Sequence, residues 1–319
     1  MPISVGVVMD PISKINIKKD STFAMLLEAK ARNHHIFYIE IENLLLRDGK
    51  PFALCAPLDV FEDENCWFKL GSEQDIDLTQ LDIILMRKDP PFDMNFVYAT
   101  YILERAEEGG SLVVNHPASL RDCNEKLFTA WFPELCPKTL VTANANLIKD
   151  FIKNQNDVIL KPLDGMGGAS IFRIKTGDPN VSVIIETLTQ HGAQLAMAQK
   201  FIPAITEGDK RILMVNGEAI PYTLARIPAD GETRGNLAAG GRGVPMAITE
   251  EEQRIADIVG PELKKRGLYF VGLDIIGGHL TEINVTSPTC IREIDSKFDT
   301  EIPAKLWNVL EKELTKRSN

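Results

Sequence analysis

Cysteine is scarce in this 319-residue chain: there are five (Cys55, Cys66, Cys123, Cys136, Cys290), odd in number, widely spaced and without a C-x-x-C pair. That excludes a disulfide framework and a zinc ribbon, and it points to a reducing, cytoplasmic setting. Long apolar runs are lacking as well. Nothing approaches the roughly 18 residues of a membrane span, and the first apolar run stops at Asp10 with no cationic stretch before it, so neither insertion nor export is expected. Positive charge is in the minority, 35 Lys and Arg against 45 Asp and Glu for a net −10. Such a field repels nucleic-acid phosphates and anionic lipid. No nucleic acid or membrane partner is expected, and any anionic ligand needs its own cluster of Lys and Arg. The sequence has no G-x-S-x-G and no H-E-x-x-H, and its five histidines (His34, His35, His116, His191, His279) form no i, i+4 pair. The usual players of nucleophilic and zinc hydrolysis are therefore missing.

What is present describes a folded protein: 44% hydrophobic and 25% charged residues, with a length that suggests about two domains. The opening alternates strand and helix. Apolar residues 5–8 precede a helix capped by Asp20 or Ser21, with Phe23, Leu26, Leu27 and Ala31 at helical spacing, and a strand over 36–41 follows. A second unit has strands at 83–86 and 112–114 around an amphipathic helix near 95–108. Two such units predict an α/β fold that begins with an open parallel sheet. Ligands gather beyond the carboxyl ends of such strands, which places residues 10–20 and 87–89 at a candidate ligand edge. Taken alone, Arg87-Lys88-Asp89-Pro90-Pro91 reads more simply as a solvated turn.

From about Cys123 the strands shorten and glycines and hairpin turns multiply, so the expected division is 1–122 and 123–319. Strands at 139–142, 158–161 and 170–174 with a helix at 144–153 would form a small α+β unit. Strands at 195–201 and 211–215 follow, the latter closed by the hairpin signal Asn216-Gly217. Residues 227–243 contain five glycines and two arginines and almost no large apolar side chains. That is too long for an ordinary connection, which leaves a disordered segment or a working lid.

Four constellations carry chemistry. Lys161 ends an apolar strand and runs straight into a loop with Gly165, Gly167 and Gly168, whose N–H groups can cradle phosphate oxygens while the lysine supplies a point charge. The spacing fits neither a Walker A loop nor a Rossmann fingerprint, but Lys126, just inside the boundary, can reach the same phosphates. Second, Asp274, Glu282 and Asn284 lie on two strands joined by a glycine turn. Glu282 and Asn284 share a face, and their oxygens suit Mg²⁺ that keeps several waters and phosphate ligands. A three-residue loop or a bulge is required to set Asp274 opposite Glu282. Third, Arg211 begins a strand in the same half, where it can neutralise a transferring phosphoryl group; a run such as residues 207–211 is more commonly a solvated strand end. Fourth, Arg292 follows Ser287 and Thr289, a set of hydroxyls and a guanidinium able to grip a carboxylate. Cys290, between them, reads as a small buried hydrophobe.

Seven stretches, VGVVMDPISKINIKKDS, IILMRKDPPFD, YATYILERAEE, SLRDCNEKLFTAWF, ILKPLDGMGGASIFR, GETRGNLAAGGRG and VGLDIIGGHLTEINVTSPTCIREI, closely resemble the bacterial glutathione synthetases of the ATP-grasp ligase superfamily over essentially the whole chain. The resemblance implies an N-terminal pre-ATP-grasp domain over 1–122. An ATP-grasp domain over 123–319 would divide into a lid subdomain (123–200) and a C-terminal subdomain (201–319) that carries the metal site and a flexible loop at 227–243. It further implies that Lys126, Lys161, Gly165, Met166, Gly167 and Gly168 meet the ATP phosphates. Gln199, Lys200, Phe201 and Ile202 would offer backbone groups to adenine, with Asp209 a ribose contact. Glu282 and Asn284, assisted by Asp274, would hold Mg²⁺ or Mn²⁺. Arg211, Arg234 and Arg242 would act on the anionic centre, and Ser287, Thr289 and Arg292 on substrate. The implied activity is ATP-dependent ligation of γ-glutamylcysteine and glycine through an acyl phosphate, in a homo-oligomer, a tetramer by resemblance. D-alanine–D-alanine ligase, a glutamate-adding ligase and a nucleotide-binding regulatory module are the rival readings. ADP release that requires both substrates separates them.

Overall fold

The computed structural model describes residues 2–165, 167–229, 231–232, 234–235 and 240–317. Three sheets carry the chain. The first contains β1 (Ser4–Val8), β2 (His35–Ile39), β3 (Leu44–Arg47), β4 (Lys50–Val60), β5 (Phe68–Leu70), β6 (Gln74–Asp77), β7 (Ile83–Met86) and β8 (Leu112–Val114), in the order β3-β4-β2-β1-β7-β8 with β5 and β6 paired to β4. β1 runs parallel to β2 and β7, and β7 to β8. Every residue of β7 and β8 is buried, the continuous apolar reading of parallel strands covered on both faces. The helices α1 (Ser21–Ala31) and α2 (Met94–Glu108) start where Asp20 and Asp93 accept hydrogen bonds from the N–H groups of Phe23 and Phe96, N-caps that satisfy otherwise orphaned donors. The strand expected over 36–41 stops at Ile39, and residues 41–43 form a single 3-10 turn.

After α3 (Pro117–Asp122), a four-stranded antiparallel sheet holds β9 (Thr139–Thr142), β10 (Asp157–Pro162), β11 (Phe172–Lys175) and β12 (Ala196–Lys200), in the order β11-β10-β12-β9. The expected start of β11 at Ser170 moves to Phe172, because Ser170 sits in the left-handed region at φ 57°. With α4 (Ala145–Gln155) and α5 (Val181–Thr189), this sheet encloses its own core around Ile148, Ile152, Val158, Leu160, Ile185 and Leu188. The third sheet runs β15-β14-β13-β16-β17, from β13 (Asp209–Val215), β14 (Glu218–Ile227), β15 (Arg242–Ala247), β16 (Phe270–Ile276) and β17 (His279–Asn284). Asn216 and Gly217, both at positive φ, close the β13–β14 hairpin as the sequence signal requires. α6 (Glu250–Lys265) opens with a reciprocal capping box between Thr249 and Glu252, and α7 (Ile291–Phe298) and α8 (Ile302–Arg317) end the chain.

The first and third sheets share apolar cores. One cluster joins Val8, Ile84 and Leu103 to Ile212, Leu273 and Ile283; another joins Val7, Phe23 and Leu85 to Leu213, Ile294 and Trp307. Between them Asn115, 3% exposed, accepts a hydrogen bond from Phe270 N–H and donates to the carbonyls of Phe270 and Val285. A buried amide this fully satisfied fixes the end of β8 against β16 and β17.

Candidate active site

A cavity of about 520 Å³ opens between the second and third sheets, at the carboxyl edge of the first. β10 contributes Lys161, the following loop Gly165, Gly167 and Gly168, and β12 and its exit Gln199, Lys200, Phe201 and Ile202. Asp209 and Arg211 come from β13, Asp274 from β16, and Glu282 and Asn284 from β17, with Lys126, Arg234, Ser287 and Thr289 on the connecting segments. The structure thus gathers nearly all the residues singled out from the sequence. Met166, and residues 230, 233 and 236–239 of the 227–243 segment, lie outside the described residues. Two expected site residues do not line the cavity. Arg242 is exposed on the edge strand β15, and Arg292 turns away to pair with Glu62 at 2.6 Å.

The two lysines converge on one carboxylate: Lys126 Nζ and Lys161 Nζ each lie 3.6 Å from Glu282 Oε1. Lys126 also donates to the Gly165 carbonyl at 2.6 Å and to Glu125, so the same ammonium touches the glycine loop and the metal strand. Burial works against its charge, but Glu282 and Glu125 outweigh burial and leave it above its ordinary value. Asn124 completes the clasp. It donates to Leu163 O at 3.0 Å and accepts from the N–H groups of Lys126 and Leu127, while Ile283 N–H donates to Glu125 O.

The hairpin of β16 and β17 takes the bulge rather than the longer loop. Gly277 and Gly278 form a two-residue turn at φ 52° and 73°, and a register shift between Asp274 and Ile275 brings Asp274 opposite Glu282. Asp274 is 2% exposed and lies under two guanidinium groups: Arg211 binds both of its oxygens, and Arg226 binds Oδ2 at 2.8 Å. Burial alone would raise this carboxyl; the two arginines instead hold it well below the usual carboxylate range. Gly272 makes room for the arrangement, since a Cβ there would stand 2.7 Å from Arg211 Cδ and 3.0 Å from Pro288 Cβ.

Arg226 and Glu125 were not anticipated. An unshifted register from the Asn216-Gly217 turn would set Asp209 opposite Leu224, but an irregularity between Ile212 and Met214 sets it opposite Arg226, which binds it as well as Asp274. Burial, with Asp274 and Glu282 nearby, pushes the Asp209 carboxyl up to about 6 despite Arg226, and its Oδ1 is buried without a hydrogen-bond partner. Glu125 stands beside Lys126 and Glu282; burial and then Glu282 raise its carboxyl. Gly235 fits against this group because it lacks a side chain: a Cβ there would fall 2.4 Å from Arg226 O. Arg234, next to it, reaches the glycine loop, with its Cδ 3.5 Å from where a Cβ of Gly168 would be.

Among the described residues no group of three or more His, Cys, Asp or Glu side chains is placed to hold a metal by itself. The donor set is a smaller one. Asn284 donates its amide N–H to Gly272 O at 3.3 Å, which leaves its oxygen for a cation. Among the described residues Glu282 has only the long contacts to the two lysines, while Asp274 shares its oxygens with arginines. One carboxylate and one amide oxygen, with a second carboxylate already engaged, fit a hard cation whose shell is completed by water and phosphate oxygens.

A lysine-walled glycine loop facing a carboxylate–amide pair across two antiparallel sheets defines an ATP-grasp ligase. Solved ATP-grasp ligases share the architecture: PsnB complexed with minimal precursor, Mg and ADP aligns at TM-score 0.61 and 16% identity over 98% of each chain. The D-cycloserine synthetase DcsG aligns at 0.66 and 12% identity over 96% of this chain and 99% of that one. Residues 3–121 match the family described as "Prokaryotic glutathione synthetase, N-terminal domain", and residues 125–299 its "ATP-grasp domain". The glutathione synthetase of Vibrio vulnificus (strain YJ016) is 63% identical over 98% of this chain and 99% of its own, and that of Escherichia coli (strain K12) is 61% identical over 98% and 99%. The chain belongs to the prokaryotic glutathione synthetase family, and it is an ATP-dependent ligase of glutathione biosynthesis. No helix among the described residues is long and apolar enough to cross a membrane.

Proposed function

We propose that the cavity joins γ-glutamylcysteine to glycine, with the cysteinyl carboxylate taking the γ-phosphoryl group of ATP and glycine displacing it. The observation that carries this assignment is the convergence of Lys126 and Lys161 on Glu282 beside the Arg211–Asp274 pair. Phosphoryl transfer asks for positioning and charge rather than a protein nucleophile, and the site is rich in the first two. Lys126, Lys161 and the glycine loop bind the phosphates. Adenine meets the exit of β12, where the N–H groups of Lys200 and Phe201 are committed to the carbonyls of Lys138 and Asp157; the Ile202 N–H is the donor left for the base. The orphaned Oδ1 of Asp209 accepts a ribose hydroxyl.

Mg²⁺, or Mn²⁺ in its place, is held by Glu282 and Asn284 with Asp274 assisting, and when bound it supplies positive charge to the phosphate oxygens. Arg211 faces the oxygens on which charge grows during both transfers. The amine of glycine attacks the acyl carbon, phosphate leaves with the electrons of the acyl–oxygen bond, and the amine gives up a proton. An acyl phosphate survives only where water is excluded. Residues 123–200 serve as a lid over the nucleotide, and Arg234, against Gly168, supports the 227–243 segment as a cover. The deciding experiment is ADP release by the purified protein. Release should need ATP, γ-glutamylcysteine and glycine together; release that is indifferent to either acceptor rejects the assignment. Glu282→Gln is expected to raise the Mg²⁺ concentration for half-maximal ADP release by about tenfold or more, and an unchanged metal titration removes Glu282 from the ligand set.

A further inference from the structure

Asp157, Ile159 and Lys161 alternate along β10 and so share one of its faces. Ile159 and Lys161 turn that face to the cavity. Arg173 on β11 stands opposite Ile159 in the antiparallel register, which puts Asp157 on its diagonal on the same face. The pair closes at two points, Nε to Oδ1 at 3.0 Å and Nη2 to Oδ2 at 2.6 Å. A forked contact of this kind fixes the plane of the guanidinium as well as its position. Arg173 nevertheless does not line the cavity. Its guanidinium lies over the ring of Phe201, 3.6 Å from the centroid, and it is Phe201 that lines the cavity.

Asp157 holds Phe201 twice. Its carbonyl accepts the Phe201 N–H at 3.0 Å, and its carboxylate holds the arginine that covers the ring. The ion pair itself is a weak source of stability, because its side chains keep 32% and 28% of their surface exposed. What it does fix is the ring of a half-buried residue at the exit of β12. The cavity beside that exit is apolar. Ile159 is paired with Gln199, just upstream of Phe201, and Ile202 abuts Gly277, which follows Ile276; Ile159, Ile202 and Ile276 all line the cavity. Apolar walls and an aromatic ring suit a flat heterocycle.

We propose that Arg173 is a positioning residue for the nucleobase: clamped by Asp157, it fixes the ring of Phe201 as one wall of the slot that receives the base. The proposal rests on reading the cavity as the ligase site, and it adds a residue that lies outside the cavity lining. The physical gain is preorganisation. A ring already held in one orientation loses no rotamer freedom when the base arrives, so more of the contact energy appears as affinity. The contribution of the guanidinium over the ring is modest, as for any cation on an aromatic face near solvent, and it should be confined to ligands that carry a base.

The test uses the whole protein and two probes titrated by calorimetry in the presence of Mg²⁺: ADP, which carries a base, and inorganic tripolyphosphate, which carries phosphates alone. Arg173→Ala is expected to weaken ADP about threefold to fivefold and to leave tripolyphosphate in place. A merely structural role would loosen β10 against β11, disturb Lys161 and the glycine loop between them, and weaken both probes together. Phe201→Leu removes the ring and leaves Arg173 nothing to act on, so in that background Arg173→Ala should add no further loss. Equal weakening of both probes, an ADP affinity that does not change, or a loss that persists in full beside Phe201→Leu overturns the proposal. Asp157→Ala releases the guanidinium without removing it and should give the same selective loss by a second route; its absence overturns the clamp. Wild-type protein that binds ADP, yet releases it from ATP without needing γ-glutamylcysteine and glycine, would instead sink the ligase reading, so the two failures are distinct.

Discussion

Replacing Arg211 with methionine is expected to lower kcat by about 10²–10³-fold, the effect of removing one preorganised donor from a centre where negative charge develops. The same change should cost about 3 kcal/mol of stability, because Asp274 stays buried and keeps only Arg226. The stability loss should depend on pH in a defined sense. In the wild type the Asp274 carboxyl is held below its ordinary value, so its contribution is complete above about pH 4 and disappears as pH falls through the depressed value. Without Arg211, burial gains on the single remaining guanidinium and the carboxyl rises. The difference between wild type and variant is therefore largest near neutrality and narrows in acid. Urea melts of the nucleotide-free protein between pH 3 and 7 measure it, and a difference that stays constant across that range would show that Asp274 does not titrate against Arg211.

The chemistry of this site was largely legible because it depends on residue types at short spacings. Lys161 with its glycine loop and the Glu282, Asn284 pair are local patterns, and each reached the cavity. Asp274 was legible only conditionally, since its face depended on a bulge that no residue type announces. Arg226 was hidden for the same reason at a different place: two strands slip against each other beyond a turn that the sequence marks plainly. Arg87 was misread as part of a solvated turn because its burial comes from chain some 200 residues away, at the carbonyls of Thr286 and Pro288. Arg292 erred in the opposite direction, since nothing within its own segment says that Glu62 will claim it. Residues 44–77 gave no clear strand reading, although β4 is long, because Pro51 and Pro57 interrupt the run. Prolines are tolerated there because an edge position or an irregular pairing does not need their missing N–H. Local chemistry can thus be read directly, while register and long-range closure decide which charges are buried together.

Trp307→Ala is expected to destabilise the protein by about 3–5 kcal/mol, the range for removing a large, fully buried aromatic side chain. Trp307 is fully buried, donates from Nε1 to Met25 O at 2.9 Å, and sets its ring 5.1 Å from that of His34. It is the pin between α8 and α1. Around it Arg32 binds Glu311 and the Ala304 carbonyl, and His34 Nε2 lies 3.0 Å from Glu311. Because the cluster that contains Trp307 also includes Val7, Leu85, Leu213 and Ile294, the loss should move the whole unfolding transition of the first and third sheets and not merely fray the C-terminal helix. The core of the second sheet shares no residue with it, and it should keep its own stability. Trp307→Phe separates the two contributions at this position. It retains most of the apolar contact and gives up the hydrogen bond, for which a loss of about 1 kcal/mol is expected. Denaturant unfolding followed by far-UV circular dichroism reads both variants. A midpoint for Trp307→Ala close to wild type would mean that α8 is not docked on α1 in solution, and the start of α1, where Asp20 stands, would then need another support.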